Sequence, residues 1–289
     1  MEFLDALQFS FLRNALLAGV LVSIACGIIG TFVVINRIVF VSGGIAHAAY
    51  GGIGLGYFLG FNPVWGAVLF SVMAALVMGT IQRSTHQRAD TLIGVMWALG
   101  MALGILLVDL TPGYKSNLMS YLFGSILTVS TYDLWVILAL DLAIIVLVTL
   151  FFKELVALSF DETFATVANV PVQTLALLLL VLIAFTVVML MQVVGLIMVI
   201  ALLTIPAAIS TIAARDMRVL MVLASFLGGV FTMAGIWLSY TFDLTSGATI
   251  IMVAGVTYIG SLLIKAWLRR FRATSAVQSE TQRQTAPAE

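Results

Sequence analysis

Of the 289 residues, 62% are hydrophobic and 9% charged, with a mean hydropathy of +1.18, whereas a soluble domain carries about a quarter charged residues. Thirteen basic residues balance thirteen acidic ones, which leaves no electrostatic footprint for nucleic acid and excludes that partner class. The solvent is a lipid bilayer, and because hydrocarbon cannot satisfy free backbone groups, the long unalternated apolar runs have to be helices, giving an all-α polytopic transmembrane bundle.

Residues 1–13 contain Glu2 and Asp5 and lack the basic start of a secretory signal, so no cleavage is expected. Apolar runs follow at 11–35, 43–60, 63–81, 91–109, 132–152, 172–191, 195–214, 219–240 and 247–268, each long enough to span with some tilt. That predicts about nine spans. Eight or ten stay open, because the second run is short and glycine-rich and the stretch 172–214 is barely interrupted. The loops are too short for a second folded unit, so residues 1–272 form one membrane domain. Residues 273–289 are Ser, Thr, Gln, Ala and Pro with little apolar bulk, which predicts a disordered tail.

Threaded alternately, nine spans place Arg37, Arg83, Arg88, Lys153, Arg215, Arg218 and the 265–272 cluster on one side, which is then the cytoplasm. The N-terminus with Arg13, and Lys115 in the 110–131 loop, fall outside, and the C-terminus inside. Within that outer loop, residues 121–127 are apolar enough to dip back and cap a pathway, or to lie at the interface as an anchor.

Cys26, the only cysteine, lies inside the first run and reads as packing; it excludes an intrachain disulfide and any CxxC metal motif. His47 lies inside the second run among Gly43, Gly44 and further glycines. A polar ring at that depth faces the bundle interior or a water-filled path, where a neutral imidazole suits a cation such as zinc, or it hydrogen-bonds a neighbouring helix for packing. His86, between Arg83 and Arg88, reads as solvated. Asp141 is a mid-run carboxylate, costing about 3 kcal/mol on insertion scales, and so needs a partner: a second cation ligand or proton-linked site, or a hydrogen bond to another helix. Asp109, Asp133 and Asp243 sit near outer helix ends, where they attract cations or are simply solvated.

On the cytoplasmic side, residues 159–170 read as a short helix capped by Ser159 or Asp161, favoured by Glu162 at its positive end, stopped at Asn169 and closed off by Pro171. Such a helix offers a handle to a partner or rests at the interface. Further on, Gly195 and Pro206 interrupt the late pair of runs; Pro206 removes a backbone bond and is a candidate hinge. None of the three lysines belongs to a phosphate-binding loop, and HExxH and GxSxG are absent, so the chain lacks an ATPase motif of its own and the parts of the usual intramembrane hydrolases. Transport is the leading class.

Three stretches together resemble the permease family of ATP-binding-cassette importers for zinc, manganese and iron(II). They are residues 30–37 followed by Ala46-His47-Ala48, residues 159–171, and residues 193–208 ending at Pro206-Ala207-Ala208. The resemblance covers nearly the whole chain except the tail. It implies a prokaryotic inner-membrane permease acting as a homodimer with a second copy of the chain. A separate cytoplasmic ATP-binding subunit would dock on the 159–170 coupling helix, through Phe160, Asp161, Glu162, Ala165, Asn169 and Pro171. An extracytoplasmic metal-binding protein would deliver the ion, with no cofactor held permanently. His47 matches the family's histidine as a ligand for transported zinc or manganese, while the family's aspartate four residues earlier is replaced by Gly43. The missing carboxylate then comes from Asp141 or a backbone carbonyl, or the substrate differs. Three rivals stand beside this reading: a stand-alone cation-coupled carrier using His47 and Asp141, an ATP-driven permease for a metal chelate, and a non-transporting scaffold.

Overall fold

A computed structural model describes residues 8–84, 89–112, 122, 124, 126–196 and 199–284; for residues 82–84, 89, 127 and 268–284 it describes the backbone alone. Among the described residues the fold is all-helical: α1 (Ser10–Ile35), α2 (Val39–Leu59), α3 (Pro63–Ser84), α4 (Ala89–Leu110), α5 (Thr131–Leu150), α6 (Phe152–Phe160), α7 (Glu162–Val167), α8 (Val172–Val193), α9 (Val199–Ala213), α10 (Met217–Phe242) and α11 (Ser246–Gln284). Eight of these are long and apolar enough to cross a membrane; α9 is apolar but shorter. All nine expected runs contain a helix, the seventh described from Val199. Helix α11 is apolar over Ser246–Trp267 and continues through Gln284, into the segment whose composition predicts a disordered tail.

Local chemistry sets the boundaries. Helix α2 ends where Gly60 turns left-handed at φ 74°, and α3 begins with the Asn62 carboxamide accepting from Val64 N–H at 2.9 Å just ahead of Pro63, whose missing N–H is harmless in a first turn. Helix α5 opens with a reciprocal capping box between Ser130 and Asp133. Asp216 caps α10 by accepting from Arg218 and Val219 N–H.

The helices pack in two groups. Helix α2 lies between α3 and α4, and α1 lies against α10, α9 and α5, while α8 joins the groups by touching α3, α1 and α2. Central position follows: 83% of the most apolar stretch of α2 is buried, against 17% for α4 and α11, which lie at the periphery. Lipid is as apolar as leucine, so it gives these helices no hydrophobic reason to associate, and close contact comes from small residues. A Cβ on Gly52 would collide with the backbone of Gly66, and one on Gly66 with the backbone of Gly52, so α2 and α3 touch main chain to main chain. Antiparallel α1 and α10 do the same where Gly27 meets Ser225, and Ser225 Oγ donates to Ile24 O at 3.3 Å.

The ends align as alternation requires. The Asn36 amide donates to Ser159 Oγ at 2.9 Å, tying the α1–α2 turn to α6, and the Arg218 guanidinium lies 5.1 Å from the centre of the Phe152 ring, tying the α10 start to α6. Arg37, Lys153, Arg215 and Arg218 therefore gather at one end of the bundle. Arg88, Lys115 and His86 lie outside the described residues.

Replacing Gly52 by alanine is expected to destabilise the purified protein by roughly 1–3 kcal/mol, the range for overpacking a tight contact. Gly94, whose Cβ position is open, serves as the control: Gly94→Ala is expected to leave thermal unfolding unchanged or raised.

Candidate functional site

His47 projects from α2, eight residues and so about 12 Å from the basic end of that helix. The ring is buried and lies flat against Trp97 of α4, with centroids 3.7 Å apart and planes 13° from parallel. Its Nδ1 is buried without a hydrogen-bond partner. Leaving such a group unmet costs roughly 1–3 kcal/mol, so the packing reading, in which His47 hydrogen-bonds a neighbouring helix through this nitrogen, is not what the structure shows. The nitrogen is left available to a ligand or a donor.

One turn below, Gly43 brings a third helix to the same place. A Cβ there would stand 2.7 Å from Cδ1 of Ile200 and 3.4 Å from Cζ3 of Trp97. Ile200 of α9 thus touches position 43 with the tip of its side chain, and a residue larger than glycine there would have to displace that tip. Gly44 faces Ile93 and Met78 instead.

Helix α9 is described from Val199, residues 197 and 198 lying outside the described residues. Helix α8 stops at Val193, and Gly195 adopts φ 88°, a conformation open to glycine and strained for other residues. The chain is therefore broken between α8 and α9, with the downstream end of the break against the His47 helix. Non-helical backbone at this depth is tolerated where it is buried in protein or lines a cavity. Pro206 lies within continuous α9, so the interruption of the late spans falls at Gly195 and not at the proline.

Gln192, in the last turn of α8, has both its amide nitrogen and oxygen buried without partners, and it was not among the residues singled out from sequence. Its place beside the Val193-Val194-Gly195 motif is the only sequence signal that points to it. The break is also covered from the other end. Gly124, at φ 69°, meets Val194 and Gly195 backbone to backbone. Ile126, in a 3-10 turn spanning Ile126–Thr128, is fully buried and packs beside Gly19 of α1, while the Asn14 amide donates to Val129 O at 3.3 Å. The 110–131 segment thus enters the bundle at Gly124 and Ile126; residues 113–121, 123 and 125 lie outside the described residues.

Asp141 is buried at 2% exposure with Oδ1 unpartnered. Its helix, α5, leans on α1 and α8, whereas α2 is held by α3 and α4. The structure does not bring Asp141 to His47, and among the described residues no three His, Cys, Asp or Glu side chains form a metal cage. Asp133, read as an outer carboxylate, is occupied as a cap, accepting from Ser130 N at 3.0 Å and Ser130 Oγ at 2.7 Å.

At the basic end, α7 is the short helix expected between 159 and 170. Asp161 is its cap, accepting from Phe164 N–H at 2.9 Å, and Asn169 stops it in the left-handed region at φ 57°. Pro171 occupies the position before α8. Ala165 is fully buried and seats the helix, so it offers nothing to a partner. Phe160 and Phe164 are each 65% exposed and Val167 79%. Phe164 and Val167, three residues apart, share a face of α7, while Phe160 closes α6 across the extended Asp161. Glu162, with Asn36 and Leu158, lines a cavity of about 360 Å³ that reaches Gly79 of α3 and residues 176–180 of α8.

Comparison with known proteins fits these features. The ABC 3 transport family matches residues 8–265. An uncharacterized membrane protein of Synechocystis is 59% identical over 261 residues, covering 90% of this chain and 93% of its own. The manganese transport system membrane protein MntC of Halalkalibacterium halodurans is 34% identical over 252 residues, 87% of this chain and 86% of that one. Among solved structures, PsaBC from Streptococcus pneumoniae in complex with Fab superimposes with a TM-score of 0.82 at 33% identity, covering 90% of this chain and 94% of that one.

Removing the α7 cap with Asp161→Ala is expected to cost about 1 kcal/mol locally. Hydrogen exchange at the Phe164 amide, read by mass spectrometry, should then speed up several-fold while amides in α1 stay protected.

Proposed function

The chain belongs to the ABC 3 transport family, so it is a multi-pass membrane component of a transporter rather than an enzyme, and we propose that it is the permease of an ATP-driven importer for manganese or zinc. The observation that carries this reading is His47: a buried imidazole with a free nitrogen, stacked on Trp97, at the turn where the broken α8–α9 connection meets α2. A neutral imidazole suits borderline divalent metals. Its few neighbouring donors suit a carrier, which must release what it binds. Carbonyls at the break, the Gln192 amide oxygen, or groups of a second permease copy complete the coordination. Asp141 lies apart from His47 and supplies no ligand to the same ion within one copy.

Energy enters at α7. A cytoplasmic ATP-binding subunit docks on Phe160, Phe164 and Val167, beside the caps at Asp161 and Asn169. Motion there passes through the Asn36–Ser159 hydrogen bond to the short turn that joins α1 to α2, and α2 carries His47. At the opposite end, the Gly124–Ile126 segment covers the break and separates the ion from an outer metal-binding protein until α8 and α9 shift. The basic end is then cytoplasmic, as the distribution of Arg and Lys requires.

In cells supplied with the ATPase and the binding protein, His47→Ala is expected to lower manganese or zinc uptake about tenfold or more, as loss of a metal-site group does. Uptake that persists without the ATPase would overturn the energetic part of the proposal. Phe164→Ala should weaken ATPase co-purification by the ~1–2 kcal/mol of a buried aromatic anchor, leaving metal binding by the permease intact.

A further inference from the structure

Helix α10 carries a feature that transport does not use. Beginning at its first turn, Arg218, Val219, Val222, Leu223 and Phe226 line an open groove of about 480 Å³, within the range of small-ligand sites. Its walls are apolar throughout, Arg218 contributing only its aliphatic stem, and Val222 and Phe226 are 71% and 66% exposed. The groove runs about 10 Å along the helix from the basic end into the hydrocarbon. At its mouth the Arg218 guanidinium is held over the Phe152 ring at 5.1 Å, an arrangement that fixes the cation while leaving its outward N–H groups unspent. Among the described residues no carboxylate side chain pairs with Arg218. The nearest acid in sequence, Asp216, is spent on capping, accepting from Arg218 and Val219 N–H. Exposed Arg215 and Lys153 add positive charge at the same level.

A fixed, unpaired cation at the interface and an apolar trough leading from it into the membrane match the two ends of one kind of molecule. We infer that this groove binds an anionic phospholipid, its headgroup phosphate on Arg218 beside Phe152 and one acyl chain along Val219, Val222 and Phe226. Charge complementarity selects the lipid class, because a phosphate accepts the guanidinium fork and a net negative headgroup gains from the neighbouring cations. Two turns of one helix fall well short of the ~800 Å² per partner of a stable interface, which argues against a second copy of this chain as the occupant. The bound lipid would brace the start of α10 against α6, next to the proposed coupling helix.

The test uses the permease–ATPase complex in nanodiscs holding equal amounts of phosphatidylglycerol and phosphatidylcholine, extracted gently and weighed by native mass spectrometry. The wild type should retain phosphatidylglycerol about tenfold over phosphatidylcholine, the selectivity expected of one to two basic side chains at a membrane surface. Arg218→Ala should abolish that selectivity, and Arg218→Lys should keep part of it. Val222→Trp, which fills the trough and leaves every charge in place, should also lose the adduct; if Arg218→Ala does not survive purification, this variant decides alone. Equal retention of the two lipids, or an unchanged adduct in Val222→Trp, overturns the inference. Efficient disulfide cross-linking of two Val222→Cys permeases would do the same, by showing that a second copy occupies the groove.

Discussion

Apolar helices in an apolar solvent have no hydrophobic reason to adhere, and the bundle depends on main-chain contact at small residues. Gly52 against Gly66 brings α2 onto α3, and Gly54 against Gly104 brings it onto α4. Only because three helices come that close can α2 be the most enclosed span of the fold, and only then does a ring at position 47 find itself in a dry interior instead of lipid. Packing and site share one cause: the glycines that flank His47 build the enclosure that makes its free nitrogen consequential. The α1–α10 seam, where Ser23, Thr232 and Ser225 replace some of that contact with hydroxyls, holds the other group, and α8 couples the two.

Much of this was legible in the sequence, because hydropathy, Gly60, Asn62 and Pro63 act locally. The first six apolar runs match α1–α5 and α8 to within a few residues, and the short helix at 159–170 was readable from Asp161, Asn169 and Pro171. The break at the head of the seventh run was not, since hydropathy cannot see a left-handed glycine at 195. Trp97 was invisible for a different reason. It lies fifty residues from His47, and only the approach of α4 to α2 pairs them. Asp133 shows the converse case, in which a capping pattern with Ser130 was present in the sequence and was read as a free carboxylate. Gly43 is a departure from the family that the sequence shows, whereas its contact with the Ile200 side chain is tertiary.

The broken connection between α8 and α9 gives the account its mechanical sense. A continuous helix would satisfy its own backbone and hold His47 in a single packed setting. The break instead places glycine-freed main chain and the Gln192 amide between α9, which packs on α1 and α2, and the segment at Gly124 and Ile126. In the proposed scheme, movement at α7 would reach the same place through the α1–α2 turn, which the Asn36–Ser159 hydrogen bond ties to α6.

The most direct test of the central claim, that His47 contacts the ion in transit, is anomalous scattering from the permease–ATPase complex loaded with manganese or zinc, recorded above and below the metal edge. The account predicts a peak within coordination distance of the His47 imidazole, beside Trp97 and the α8–α9 break. A peak held by other residues, with His47 still packed on Trp97 and out of reach of the metal, would contradict it.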